Sequence, residues 1–265
     1  MAIALIDADS IYFRAAYSNS NKEDIRKIID RTVNECIAYA FSGPQECRVA
    51  LKGRGNYRKV LYPQYKGSRP RLTDEVRASL NYGHNYMKEK WEGVEADGME
   101  ADDLVCIWAY EAREMEKDFV ICGIDKDLKQ IPGHHYNYSK KIHEFIDDDK
   151  ANLNLMIQCL TGDTSDNIPG IHGVGPKTAI KILQDVPVGK RWQTVVDTWK
   201  AEKAGDPWLS LKLLSMLKSW EEFEEVKPDE PDESLLLSET PECEQDVEPK
   251  GEDNVQVSGV STVSE

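Results

Sequence analysis

Three short apolar runs, each too brief for a helix, constrain this chain more than any other feature. They are Ala2–Ile6, Arg48–Leu51 and Phe119–Cys122, and each reads as a buried strand. Between them the apolar period changes to that of a helix. Residues 22–40 set Ile25, Ile28, Ile29, Val33 and Ile37 on one face, and residues 100–117 do the same with Leu104, Ile107, Trp108 and Ala112. Strands that alternate with helices predict an α/β fold: a mostly parallel sheet with helices on both faces. Such sheets carry their sites beyond the carboxyl ends of the strands. After residue 150 the pattern becomes helical, with Leu153–Leu160, a Gly-rich IPGIHGVGPKTA, Ala179–Leu183, and further helices expected over 191–204 and 208–222.

The 265 residues allow one large domain or a domain with a small companion, and 40% hydrophobic residues suffice for a core. No stretch approaches the roughly 20 apolar residues of a membrane span. The opening MAIALIDADS has no basic leader or cleavage pattern, which predicts a cytoplasmic protein. The cysteines (Cys36, Cys47, Cys106, Cys122, Cys159 and Cys243) form no CxxC or zinc spacing and read as reduced thiols. The net charge of −15 is unevenly placed. Residues 221–265 hold 16 of the 48 acids and 2 of the 33 bases, so residues 1–220 are close to neutral. The segment 227–265 is poor in aromatics and rich in Glu, Asp, Pro and Ser, a composition that predicts disorder. Such a tail is a solubilising segment or a mimic of DNA.

Four acidic clusters recur at strand ends or helix starts: Asp7 and Asp9; Glu100, Asp102 and Asp103; Asp125 and Asp127; Asp163 and Asp166. Singly, each has a bland reading as a turn residue or a complement to a helix dipole. Together they differ, because two of them directly follow buried strands and a parallel sheet brings those ends to one edge. Converging carboxylates repel unless protonated or bridged by cations. Oxygen donors of this kind suit Mg²⁺ or Mn²⁺. Two such ions about 3.5–4 Å apart can drive phosphodiester cleavage.

Residues 52–72 contain seven bases and no acid, with Tyr57, Tyr62 and Tyr65 interleaved. That composition reads as a solvated basic loop or as a surface that tracks a nucleic-acid strand. GIHGVGPKTA offers glycines that let amides approach phosphate at a helix start, with Lys177 adding charge. It is neither a Walker loop nor a dinucleotide fingerprint, and a plain turn between helices would look the same.

The order LIDADSIYFR, YRKVLYPQYKGSRP, EADD, IDKDLKQI and GDTSDNIPGIHGVGPKTA resembles the flap endonuclease and 5′→3′ exonuclease family over about residues 3–185. That family includes phage exonucleases and the 5′-nuclease domain of bacterial DNA polymerase I. The resemblance implies a Rossmann-like, PIN-like sheet at 1–150 with a helical arch at about 52–90. It also implies a C-terminal helix–hairpin–helix-type duplex-binding module within 151–226. By position, Asp7, Glu100, Asp102, Asp103, Asp125, Asp127, Asp163 and Asp166 match the family's metal-site acids, with Mg²⁺ or Mn²⁺ as a pair of ions. Arg14 and Lys66 match the residues that engage the scissile phosphate. Arg58, Lys59, Tyr65, Arg69, Gly173, Gly175 and Lys177 are expected at DNA, and main-chain carbonyls of Ile171 and Val174 at a potassium ion. Asp9 stands where the family has a small or polar residue and is left out of this set. A further family aspartate, about fifteen residues before the arch lysine, falls here on Leu51.

The implied activity is metal-dependent hydrolysis of DNA at 5′ ends, nicks, gaps or flaps, extending to RNA–DNA hybrids, as in a phage replication or recombination system. A monomer suffices, and a phage-encoded chain would work in the host cytoplasm. Two other readings are a noncatalytic DNA-binding accessory protein and a PIN-type ribonuclease.

Overall fold

The computed structural model describes residues 2–18, 21–40, 46–68 and 71–227. The expected site residue Arg69, Cys243 and the acidic tail from residue 228 lie outside the described residues.

A six-stranded sheet runs in the order β3-β2-β1-β4-β5-β6. Its strands are β1 (Ile3–Asp7), β2 (Glu46–Lys52), β3 (Val94–Ala96), β4 (Phe119–Cys122), β5 (Gly133–Asn137) and β6 (Ile142–Ile146). All neighbours are parallel except β5 and β6, which form a hairpin. The three apolar runs of the sequence are β1, β2 and β4, the centre of the sheet. A strand buried on both faces is apolar along its whole length, and β1 is buried at every residue. The other strands escape that reading because β3 has three residues and β6 is largely exposed.

One face of the sheet is covered by α5 (Ala101–Glu114), whose Leu104, Ile107 and Trp108 pack on Leu5 and Ile121. The other is covered by α1 (Asp9–Ser18), α2 (Lys22–Ala40) and α4 (Asp74–Lys90) around Ile6, Val49 and Leu51. Gly83 of α4 lets that helix close on α1, since a Cβ there would lie 3.0 Å from Tyr12 Cβ. Among the described residues of the basic segment one short helix forms, α3 (Tyr57–Leu61), capped by Asn56 Oδ1 accepting from Arg58 N at 2.9 Å.

A third apolar cluster lies among α6 (Asp148–Thr161), α7 (Pro176–Leu183), α8 (Val188–Ala201) and α9 (Pro207–Leu214), and it includes Tyr65. The single helix expected over 208–222 is two, because α9 ends at Leu214 and α10 spans Trp220–Val226. The reason is side-chain chemistry. Carbonyls freed at Leu213 and Ser215 accept from Arg58 at 2.9 and 2.7 Å, and Leu217 N donates to Asp103 at 3.1 Å. Met216 and Leu217 are then drawn into the cluster beneath α5. No helix among the described residues is long and apolar enough to cross a membrane.

Candidate metal and DNA site

The sheet order reverses at β1, which has β2 on one side and β4 on the other. The crevice beyond the carboxyl ends of β1 and β4 is therefore where a ligand is expected. Asp7 ends β1 and is 6% exposed. Its Oδ2 accepts from Ser10 Oγ at 3.1 Å, and that hydroxyl also meets Tyr138 OH beyond β5. Burial, then the charges of Asp9 and Asp125, push the Asp7 carboxyl up to about 7. Asp125 follows β4 and accepts Asp127 N at 2.9 Å, which folds the two acids back on each other in an Asx turn. Asp127 also accepts from Gln158 of α6. Its carboxyl is pushed up to about 7 by burial and by Asp125 and Asp163. Lys126 Nζ sits 2.7 Å from Asp163, whose other oxygen accepts Ser165 N at 2.8 Å. Burial alone would raise the Asp163 pKa, but the bonds from Lys126 and Ser165 outweigh it and hold the group ionised.

The second part of the site is built by two loops that grip one another. Lys66 N donates to Asp166 O at 2.9 Å, and Asn167 Nδ2 donates to Gln64 O at 2.8 Å. Lys66 and Asn167 both adopt left-handed backbone (φ 58°), so the contact is bought with local strain. It aims Lys66 Nζ at Glu100 and, at 3.5 Å, at Asp166. Tyr65 OH donates to the same two acids, at 2.8 and 3.1 Å. Glu100 stays ionised despite burial because Lys66 and Arg58 lie beside it. Asp102 has its pKa driven well above the usual carboxylate range by burial, Glu100 and Asp103.

Three expected roles are corrected. Asp103 is fully buried and accepts from Arg58 Nη1 and Nη2 at 2.5 and 2.9 Å, from Glu100 N at 3.0 Å and from Leu217 N. Its oxygens are committed to protein donors, so it ties α5 to the loop after α9 instead of facing an ion. Arg58, 2% exposed, is the other half of that tie and has no face for DNA. Tyr65, 3% exposed, offers its hydroxyl to carboxylates and no ring to a base. Tyr57 is buried as well, which leaves the basic segment with fewer stacking surfaces than its composition suggests.

Other expected contacts face solvent. Arg14 is exposed on α1 with its guanidinium 5.9 Å from the Tyr138 ring centroid, close to Ser10 and hence to Asp7. Lys59 is half-buried on α3. At the hairpin, Gly173 has φ 79°, Gly175 caps α7, and a Cβ at either would meet nothing within 4 Å. Lys177 is exposed in the first turn of α7. Val174 N donates to Ile171 O at 3.0 Å, closing the turn whose carbonyls the family resemblance implies at a potassium ion. Asp9, left aside in the sequence, lies beside Asp7: its Oδ1 accepts Lys52 N at 2.8 Å and Tyr12 OH at 2.9 Å.

Among the described residues, no three Asp, Glu, His or Cys side chains stand close enough together to enclose one ion as arranged. The chemistry of the set nevertheless fits hard divalent cations. Every donor is oxygen, burial and then neighbouring like charges raise two carboxyls to about 7, and the lysine ammoniums of Lys66 and Lys126 lie among them as cations.

Residues 2–154 match the family model for the 5′–3′ exonuclease N-terminal resolvase-like domain, and residues 150–206 that for the 5′–3′ exonuclease C-terminal SAM fold. A DNA polymerase I of Rhizobium leguminosarum is 34% identical over 49% of this chain, and one of Lactococcus lactis is 29% identical over 81%. The chain spans 14% and 28% of those two relatives. A flap endonuclease Xni of Shewanella pealeana is 25% identical over 69% of this chain and 75% of its own length. The bacteriophage T5 D15 protein crystallised with metal ions shares the fold, with a TM-score of 0.59 and 17% identity over 82% of this chain and 90% of that one. A T5 flap endonuclease in complex with DNA and metal ions aligns with a TM-score of 0.57, 17% identity and coverage of 82% and 89%.

Proposed function

The chain belongs to the 5′–3′ exonuclease family, and from that premise we propose that it hydrolyses DNA at 5′ ends, nicks, gaps and flaps using two Mg²⁺ or Mn²⁺ ions. Asp7, Glu100, Asp102, Asp125, Asp127, Asp163 and Asp166 would hold the ions. The observation that carries this reading is the gathering of Asp7, Asp125 and Asp127 at the switch point of the sheet, where burial and mutual repulsion call for bridging cations.

When bound, the ions supply an activated water and neutralise charge on the phosphate and the leaving oxygen. The chain's own residues do the rest. Lys66, set by the two clasped loops, and Arg14, exposed on α1 near Asp7, would engage the scissile phosphate and stabilise the charge that develops on it. On meeting a strand Lys66 would exchange Glu100 and Asp166 for phosphate. Gly173, Gly175 and Lys177 would grip the duplex backbone at the open end of α7, with K⁺ held by carbonyls of Ile171 and Val174. Lys59 and Arg69 would follow the single strand. The division of labour we propose is catalysis in 1–150, duplex binding in 151–226, and an acidic tail in 227–265. RNA–DNA hybrids, a monomeric state and a cytoplasmic setting, in the host if the chain is phage-encoded, complete the reading.

The test is cleavage of a flap duplex and a nicked duplex, labelled separately at each end, in Mg²⁺, Mn²⁺ or EDTA. The parent should release short 5′ products only with metal, and Asp125→Asn/Asp127→Asn should release none above background. Equal products from parent and double mutant would leave a DNA-binding accessory protein as the better reading.

A further inference from the structure

We propose that Asp9 gives the metal site the carboxylate that residue 51 lacks. The inference rests on the nuclease reading above and concerns which of this chain's residues complete the site. The resemblance set an acid fifteen residues before Lys66, at the end of the second strand, and this chain has Leu51 there. In the structure Leu51 is fully buried in β2, and its Cδ1 lies 2.4 Å from where a Gly93 Cβ would be. That position is filled by hydrocarbon on the α4 side of the sheet, so it offers the crevice nothing.

Asp9 reaches the same place from the neighbouring strand. The register pairs Asp7 with Ala50, so the ends of β1 and β2 lie side by side. From the first turn of α1, Asp9 Oδ1 accepts the N–H of Lys52, the last residue of β2. Its carboxylate is thus fixed across the carboxyl end of β2, one residue beyond Leu51. Two donors, Lys52 N and Tyr12 OH, both engage Oδ1. Such donors orient a ligand while leaving its second oxygen for an ion. A plain helix-capping acid would accept amides of its own first turn. The amide bound by Asp9 belongs to another strand.

The test is titration of the full chain with Mn²⁺ in the absence of DNA, followed by calorimetry or by the electron paramagnetic resonance of free Mn²⁺. Asp9→Asn keeps an oxygen for Lys52 N and Tyr12 OH while removing the charge. It should keep the parent's thermal midpoint and lose about tenfold or more in Mn²⁺ affinity, and Asp9→Glu should recover part of the loss. Parental Mn²⁺ affinity in Asp9→Asn, alongside weakened binding in Asp125→Asn, would overturn this inference and leave the nuclease reading standing. Absence of Mn²⁺ uptake by the parent itself would overturn both. A lower thermal midpoint in Asp9→Asn with unchanged Mn²⁺ affinity would assign Asp9 to fastening α1 to β2, and would equally overturn the proposal.

Discussion

Arg58 donates to both oxygens of Asp103 and to the carbonyls of Leu213 and Ser215, and Arg58, Asp103 and Leu213 are shielded from solvent. Removing one member of such a pair leaves the other charged and unpaired in the interior. Arg58→Met should therefore lower the unfolding free energy by about 3–5 kcal/mol, measured by urea denaturation. Arg58→Met with Asp103→Leu should regain part of that loss, since the stranded carboxylate goes too. Lys66→Met acts at the other extreme: cleavage should fall by about 10²–10³-fold while the fold persists. Asp7, Asp125 and Asp127 were legible in the sequence because they follow apolar runs directly. Arg58 and Asp103 were not, because a charge in a sequence does not announce its partner, and here the partners lie 45 positions apart. One local signal was present. Asp103 is three residues after the N-cap Glu100, the spacing at which a side chain turns back to the helix start.

The site depends on loops that elements hold in place, and the 162–170 loop is the tightest of them. A Cβ on Gly170 would lie 2.1 Å from the carbonyl carbon of Thr161, and Gly162 opposite it has φ 67°. Gly170→Ala should cost about 1–3 kcal/mol and displace Asp163 and Asp166, so thermal midpoint and metal affinity should fall together. At the hairpin, Lys177→Ala should weaken duplex binding evenly across sequences and lower the slope of log affinity against log salt by about one. The central strands could be read in advance since burial on both faces leaves an unbroken apolar run, and α2 and α5 since burial on one face leaves a helical period. β3 and β6 could not, being short or lying at an exposed edge, and β5 could not because its Gly-His-His-Tyr-Asn contains no apolar run. The break between α9 and α10 was equally hidden, because Arg58 and Asp103, distant in sequence, bind the backbone groups there.

Across the whole molecule, charge is sorted by place. Residues 1–220 are near neutral in total, yet Asp7, Asp9, Asp125 and Asp127 gather at the carboxyl edge of the sheet, while the sequence past 220 holds most of the net charge. Deleting 228–265 should leave thermal midpoint and the salt slope of duplex binding unchanged if that segment only aids solubility; a changed slope would make it a competitor for the DNA surface. The central claim is that distant stretches of chain bring their carboxylates together for shared divalent ions. It is tested most directly by the anomalous scattering of Mn²⁺ in crystals of this protein. The account predicts two ordered ions among Asp7, Asp9, Glu100, Asp102, Asp125, Asp127, Asp163 and Asp166, with Lys66 and Lys126 drawn away from the carboxylates they now touch. Crystals equilibrated with Mn²⁺ that show those lysine contacts intact and no ion among the acids would contradict it.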